Sequence, residues 1–383
     1  MNWVLTLTML GLLTFGVFCI YSATEFRDEP GIAALWRSQI TWILVGLVLY
    51  FGAALVDYRW MRWGAIPLYI AALVVLVSVH FVGSEINASK SWISLGGFRF
   101  QPSQPMVVAG VVAIAFVLAE LHKHVPVFRF HSLRLAGAGA LAGIPAVSIL
   151  LEGDLGSAYV WGPLIGAMLL VGSIPFRYLI VIALVGLTVL PLAYNFGLKE
   201  YQKARIEVWL DVLQGKPIDV QNEGWASDKI LKAVGSSGWS GKGYLGKNTT
   251  GQKTMNRMGF LPQRTAHNDY IFAVLAEEHG FRGAMLLLSA FGFLILQLMY
   301  VAVWARDQLG RLVVVGTAAV LFAHIFQHVG MNIALTPITG IPLPFISYGG
   351  TFTISIMLLL GLVQSAWVHR NTPAPETEKK QRL

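Results

Sequence analysis

Apolar runs of about 17 to 25 residues recur along the chain, separated by shorter polar stretches. Each is long enough, as a helix, to cross a hydrocarbon core of about 30 Å. Ten can be read, near 3–21, 36–56, 63–82, 105–121, 133–151, 155–171, 176–196, 281–304, 312–335 and 350–369. The 155–171 run is short, and Pro105 blurs the start of the fourth. The pattern predicts an all-α polytopic membrane protein with about ten transmembrane helices, a single membrane domain over residues 1–370. One polar insertion, 197–268, interrupts it as a large loop, and the proline-containing tail 371–383 is expected to be disordered.

Composition agrees. Hydrophobic residues make up 55% and charged residues 13%, too little charge for a soluble domain of this length. Arg59 and Arg62, then Lys123, Arg129 and Arg134, then Arg177, then Arg306 and Arg311 fall in alternate loops, and Arg370, Lys379, Lys380 and Arg382 follow the last run. The opposite loops carry acids instead: Glu25, Asp28 and Glu29, and later Glu152 and Asp154. The positive-inside rule puts both termini in the cytoplasm, so the loops 83–104, 197–268 and 336–349 face outward together. The net charge of +8 reads as anchoring to membrane lipids rather than nucleic-acid binding. The first run lacks a basic n-region and is too long for a signal peptide, so a retained span is expected. Cys19 is the only cysteine, which excludes an intramolecular disulfide.

The most irregular apolar stretch is TPITGIPLPFISYGGT, residues 336–351. Pro342 and Pro344 break a helix there and Gly349-Gly350 lets the chain turn. Such backbone at membrane depth usually lines a cavity or packs inside protein. Other patterns fail on context. GKGYLG at 241–246 matches a dinucleotide fingerprint by letters but follows no strand, and GSSGWSGKG lacks phosphate-loop spacing. His324 and His328 are one turn apart without a third ligand, which favours packed polar residues over a metal pair.

The insertion holds eleven Lys and Arg against six acids, a solvated basic face or a surface for an anionic head group. Tyr201–Leu213 has helical spacing, and Trp225–Val234 reads as a second short helix. Asp269 opens the run YIFAVLAEEHG immediately after this loop. A helix cap is the bland role for it. A general base toward a hydroxyl acceptor is the sharper one, and both can coexist. Trp92 and Phe98 suit an interfacial belt. Arg99 and Gln104 flank a Gly-Gly turn and face the same exterior space. The helices opening near Gly350 and Asp269 would point their positive ends there, favouring a diphosphate.

Taken together, SKSWISLGGFRFQPSQ, EGDLGSA (152–158), YQKARI (201–206), AVGSSGWSGKGYLG (233–246), FLPQRTAHNDYIFAVLAEEHGFRG (260–283) and MNIALTPITGIPLPFISYGGT resemble the SEDS family (shape, elongation, division and sporulation). The TGIPLP wording is closer to its RodA-type, cell-elongation branch than to its division branch. The likeness runs in order over about residues 84–365. It implies a ten-span inverting peptidoglycan glycosyltransferase, polymerising lipid II at the outer face of the bacterial inner membrane. It implies a class B penicillin-binding protein and other elongation-complex proteins as partners. No resident cofactor is implied; a divalent cation would come with the substrate diphosphate. Asp269 falls on the family's essential acid, in HNDY. Trp92, Arg99, Gln104, Gln202, Arg205, Lys242 and Ser347 fall on motif positions that imply substrate binding.

The chain also departs from the pattern. Gln104 and Val107 stand where the family has a glutamate and a lysine, and Gln263 replaces a usual glutamate. Asp228-Lys229 replaces a typical Gln-Ser, and the TAHND and 247–257 stretches are extended. Two rival readings follow, a lipid-precursor flippase and a non-catalytic cell-wall scaffold. Polar features gathered on one side, and the lack of a visible repeat, favour the enzyme over transport.

Overall fold

The computed structural model describes residues 1–27, 29–86, 89–95, 98–217, 219, 224–247 and 253–371. The helices run in order α1 (Trp3–Thr24), the short α2 (Pro30–Ala33), α3 (Leu35–Leu55), α4 (Met61–Val82), α5 (Ser103–Ala119), the short α6 (Leu121–His124), α7 (His131–Glu152), α8 (Leu155–Tyr159), α9 (Trp161–Val171) and α10 (Phe176–Leu192). Helices α11 (Glu200–Leu213) and α12 (Trp225–Gly235) belong to the large insertion, followed by α13 (Ile271–Trp304), α14 (Gln308–Asn332) and α15 (Gly350–Val368). Seven of these helical stretches are long and apolar enough to cross a membrane by themselves, and α5 and α8–α9 are shorter apolar pieces. The helices coincide with the ten apolar runs, as expected of an all-α integral membrane protein. Asp28, the Gly96-Gly97 turn and the tail beyond Asn371 lie outside the described residues.

Helix α5 is apolar on every side because it runs through the centre, with nearly all its residues buried among α4, α7, α9, α14 and α15. Helices α1, α3 and α4 leave large side chains such as Leu44, Val48 and Phe81 exposed, as a lipid-facing rim would. The start of α1 meets the last turns of α15: Asn2 N donates to Gln364 Oε1 at 2.9 Å, and Gln364 Nε2 returns a bond to the Asn2 carbonyl at 2.8 Å.

Two features differ from the expectation. The loop at 83–104 carries a small antiparallel sheet, β1 (Ser84–Ile86), β2 (Ser89–Leu95) and β3 (Phe98–Phe100), with Ser94 opposite Arg99. Helix α13 joins the helix expected to open at Asp269 to the span expected from 281 as one element, interrupted at Gly280 (φ 69°, ψ −168°). The GSSGWSGKG segment plugs that break. Lys242 N and Gly243 N donate to the Glu277 and Glu278 carbonyls, and Phe281 N and Arg282 N donate to Gly238 and Trp239. Two carbonyls and two amides freed at the break thereby regain partners, as burial requires. A Cβ on Gly280 would lie 2.3 Å from Gly241 N, so glycine is needed for the approach.

Candidate active site

The TGIPLP segment is irregular but not loose, because one polar face of α14 holds it. His328 Nδ1 donates to the Ile341 carbonyl at 2.7 Å and His324 Nδ1 to Pro342 at 3.2 Å. Gln327 Nε2 donates to the Pro337 carbonyl at 2.9 Å and to Thr339 Oγ1 at 3.0 Å. The two histidines therefore serve as packed donors, as their spacing suggested. Among the described residues no group of three His, Cys, Asp or Glu gathers as a metal site.

This segment lies between two carboxylates. Gly340 (φ 73°) passes Asp269 so closely that an added Cβ would stand 3.5 Å from Oδ2. On the other side, a Cβ on Gly156 would collide with Ile341 at 2.1 Å, so the start of α8 packs against the same loop. Asp154 caps α8, its carboxylate accepting from Ser157 N at 2.9 Å, Ser157 Oγ at 2.7 Å and Gln101 Nε2 at 3.0 Å. Gln104 Nε2 reaches Gln101 Oε1 at 3.4 Å, and Gln101 N donates to Thr351 Oγ1 at 3.4 Å. The 83–104 loop, the α7–α8 turn and the beginning of α15 thus meet at Asp154.

Helix α11 is fastened to this turn. Gly153 adopts φ 90° at the end of α7, and its carbonyl accepts from Tyr201 Oη at 2.7 Å and Gln202 Nε2 at 3.3 Å. Arg205 follows one turn later, its guanidinium 5.6 Å from the Tyr201 ring centre. It lines a small cavity with Trp209, Thr336 and Ile338. Trp209 Nε1 donates to the Ala334 carbonyl at 3.1 Å, fixing the other end of α11.

Three successive carbonyls position Asp269. Tyr348 N bonds the His267 carbonyl at 3.0 Å, Ser347 Oγ the Asn268 carbonyl at 2.7 Å, and Asn332 Nδ2 the Asp269 carbonyl at 3.1 Å. The carboxylate itself is half-buried and, among the described residues, accepts no hydrogen bond or ion pair. It is not the expected helix cap: Tyr270 occupies that position and no side chain caps α13. Burial pushes the Asp269 carboxyl up to about 6, with Arg205 pulling it down and Asp154 pushing it further up. Burial and Arg27 drive neighbouring His267 down to about 4, so it is neutral near pH 7.

The other sequence candidates divide. Arg205 and, through Gln101, Gln104 come to the Asp154–Asp269 site. Gln202 is buried and spends its amide on Gly153 and Lys199 N. Ser347 is fully buried, accepting from Leu343 N at 2.8 Å while donating to Asn268, so it shapes the segment and does not face an opening. Lys242 is drawn away: its ammonium lies 2.7 Å from Glu277 Oε1 and 2.8 Å from Ser236 Oγ. Trp92 is half-buried in β2, with its carbonyl taken by Ser84. Arg99 is exposed on β3, where its charge acts on Tyr348, whose ring meets His267. Asp154, Gln101 and Asn332 were missed. The acids at 152 and 154 stand in the sequence as a topology signal and as part of the EGDLGSA motif, with no site role, although D-x-x-S at a helix start also marks a cap.

Residues 2–372 match a family model, FtsW/RodA/SpoVE, described as cell cycle protein. The chain is 30% identical over 366 residues to peptidoglycan glycosyltransferase MrdB of Escherichia coli, covering 95% of this chain and 92% of that one. It is 26% identical over 435 residues to peptidoglycan glycosyltransferase RodA of Treponema pallidum, covering 95% and 96%. Among solved structures it resembles a chain of a peptidoglycan synthase complex that coordinates polymerization and crosslinking (TM-score 0.75) and the rod shape determining protein RodA of Thermus thermophilus (TM-score 0.66). Both are 26% identical and cover 97% of this chain, and 99% and 98% of theirs respectively.

Proposed function

The chain belongs to the FtsW/RodA/SpoVE family, and on that premise we propose that Asp269 is the general base of its polymerising reaction. The protein is a peptidoglycan glycosyltransferase of the RodA type. Its substrate is lipid II, and it acts at the outer face of the bacterial inner membrane. Asp269 takes the proton from the 4-hydroxyl of a GlcNAc on one lipid-linked molecule. The oxygen attacks the MurNAc anomeric carbon of a second, and undecaprenyl diphosphate departs with the bonding electrons. A single displacement converts the α-diphosphate into a β-1,4 linkage.

One observation carries this reading: the Asp269 carboxylate is unpartnered among the described residues while its backbone is fixed by three consecutive bonds. A base needs a free lone pair in a fixed place and a pKa near working pH. Arg205 is the cation that acts on this carboxylate, and it supplies positive charge beside the departing diphosphate. Trp92 and Arg99 on the outer-loop strands, and Gln104 beside Gln101, are the remaining substrate contacts of this reading, whereas Gln202 and Ser347 shape the site through backbone carbonyls. Lys242 takes no part in this geometry.

A class B penicillin-binding protein is the proposed crosslinking partner, supported by the similarity to a chain of a synthase complex that couples the two activities. Purified protein given fluorescent lipid II should make a polymer ladder, and Asp269→Asn should not. Transbilayer movement without polymer would replace this reading with transport, and neither activity would favour a scaffold.

A further inference from the structure

The remaining acid at this site has no explained role. Glu152 is the last residue of α7 and only 3% exposed, yet neither carboxylate oxygen has a hydrogen-bond partner among the described residues. A buried carboxylate without a partner is costly, and natural proteins keep one where a proton or a ligand completes it. Its surroundings do not supply a cation. Lys90, on the strand above, donates to the His80 carbonyl at 2.8 Å, and Ser89 Oγ contacts only the Glu152 carbonyl at 3.3 Å. Arg205 lies over Tyr201, and the Asp154 carboxylate two residues away adds further negative charge.

Asp154 thus adds its negative charge both beside Glu152, two residues away, and on Asp269, on which Arg205 is the one cation shown to act. Left so, these carboxylates would repel a diphosphate. A divalent cation reverses the sign. Magnesium commonly takes one or two carboxylates, keeps several waters and fills its shell with substrate phosphates. Two protein carboxylates without a third match that half-shell, consistent with the lack of a self-sufficient metal cluster among the described residues. We propose that Glu152 and Asp154 form a divalent-cation site completed by the substrate diphosphate. The proposal deepens the reading above and rests on it. Asp154 keeps its Ser157 and Gln101 bonds as the rigid arm, and Glu152, with both oxygens free, is the arm that binds.

The test uses the full chain in nanodiscs, with Mn2+ as the probe and undecaprenyl diphosphate as the phosphate source, read by electron paramagnetic resonance. Wild type should take up one Mn2+ with the diphosphate, beyond what the diphosphate binds in empty nanodiscs. Glu152→Gln should weaken uptake about tenfold or more, since losing a ligand costs at least as much as losing its support. Gln has the shape of a protonated Glu, so equal binding by the two proteins would mean a neutral buried acid and overturn the site. Uptake no greater than in empty nanodiscs would overturn it too. Should Glu152→Gln fail to fold, Fe2+-driven backbone cleavage of wild type decides. Cuts near residues 152–154, suppressed by Mg2+, support the site, and their absence ends it. None of these readouts needs turnover. A Glu152 failure therefore leaves the Asp269 base standing, and an active Asp269→Asn protein removes the base without touching the cation data.

Discussion

Two charged clusters of the bundle use the same residue types to opposite ends. Around the α13 break, Lys242 and Glu277 are both buried and paired at 2.7 Å, and Glu277 also accepts from Met255 N at 2.8 Å. At the TGIPLP loop, Asp269 is held by its backbone while its carboxylate stands free among the described residues. The first cluster is electrostatically closed and the second is open. A closed cluster holds a fold together, whereas an open one keeps its charge for a ligand. The difference is why Lys242, attractive as a phosphate contact by sequence, is proposed as scaffold, and Arg205, whose charge acts on Asp269, as part of the site.

The sharpest way to break the contrast is at the open cluster. Asp269→Asn should lower polymerisation of fluorescent lipid II by about 10²–10⁴-fold. Stability should respond in the other direction. The folded carboxyl titrates near 6, above its unfolded value of about 4. Its favourable contribution is full below the unfolded value and lost as pH rises through 6. At pH 7 the Asn variant should thus melt no lower than wild type, and a clear drop in melting temperature would turn Asp269 into a structural residue.

At the closed cluster the signature reverses. Lys242→Ala strands Glu277 and should cost about 3–5 kcal/mol of stability, seen as lost thermal resistance in detergent. Adding Glu277→Gln should recover part of that loss. Activity per folded molecule should change little; a large fall at unchanged stability would move Lys242 into the site. Ser347→Ala lies between the two regions. It leaves the Asn268 carbonyl and Leu343 N unpaired, and should cost about 1–3 kcal/mol with a milder loss of rate.

The smallest expected effect is on the pH profile. Because the base must be ionised, kcat/KM should fall below an acid limb near pH 6. Arg205→Ala removes a neighbouring positive charge, so the limb should move to higher pH. A limb unmoved by that change would separate the guanidinium from the base.

Sequence alone determined the ten apolar helices, because a bilayer demands long apolar runs and charge bias in the loops. It also marked Asp269 and the broken TGIPLP segment, since prolines and an isolated acid are conspicuous in apolar surroundings. It did not show that GSSGWSGKG plugs the break at Gly280, because only a second segment of backbone reveals which groups there need partners. Nor could it show that Lys242 is paired with Glu277, or that Gln101 bonds Asp154, whose charge acts on Asp269. Those assignments depend on which opposite charges and carbonyls come within about 3 Å of one another. Segments distant along the chain set such distances, so the tertiary fold alone decided which charges were neutralised and which were left free.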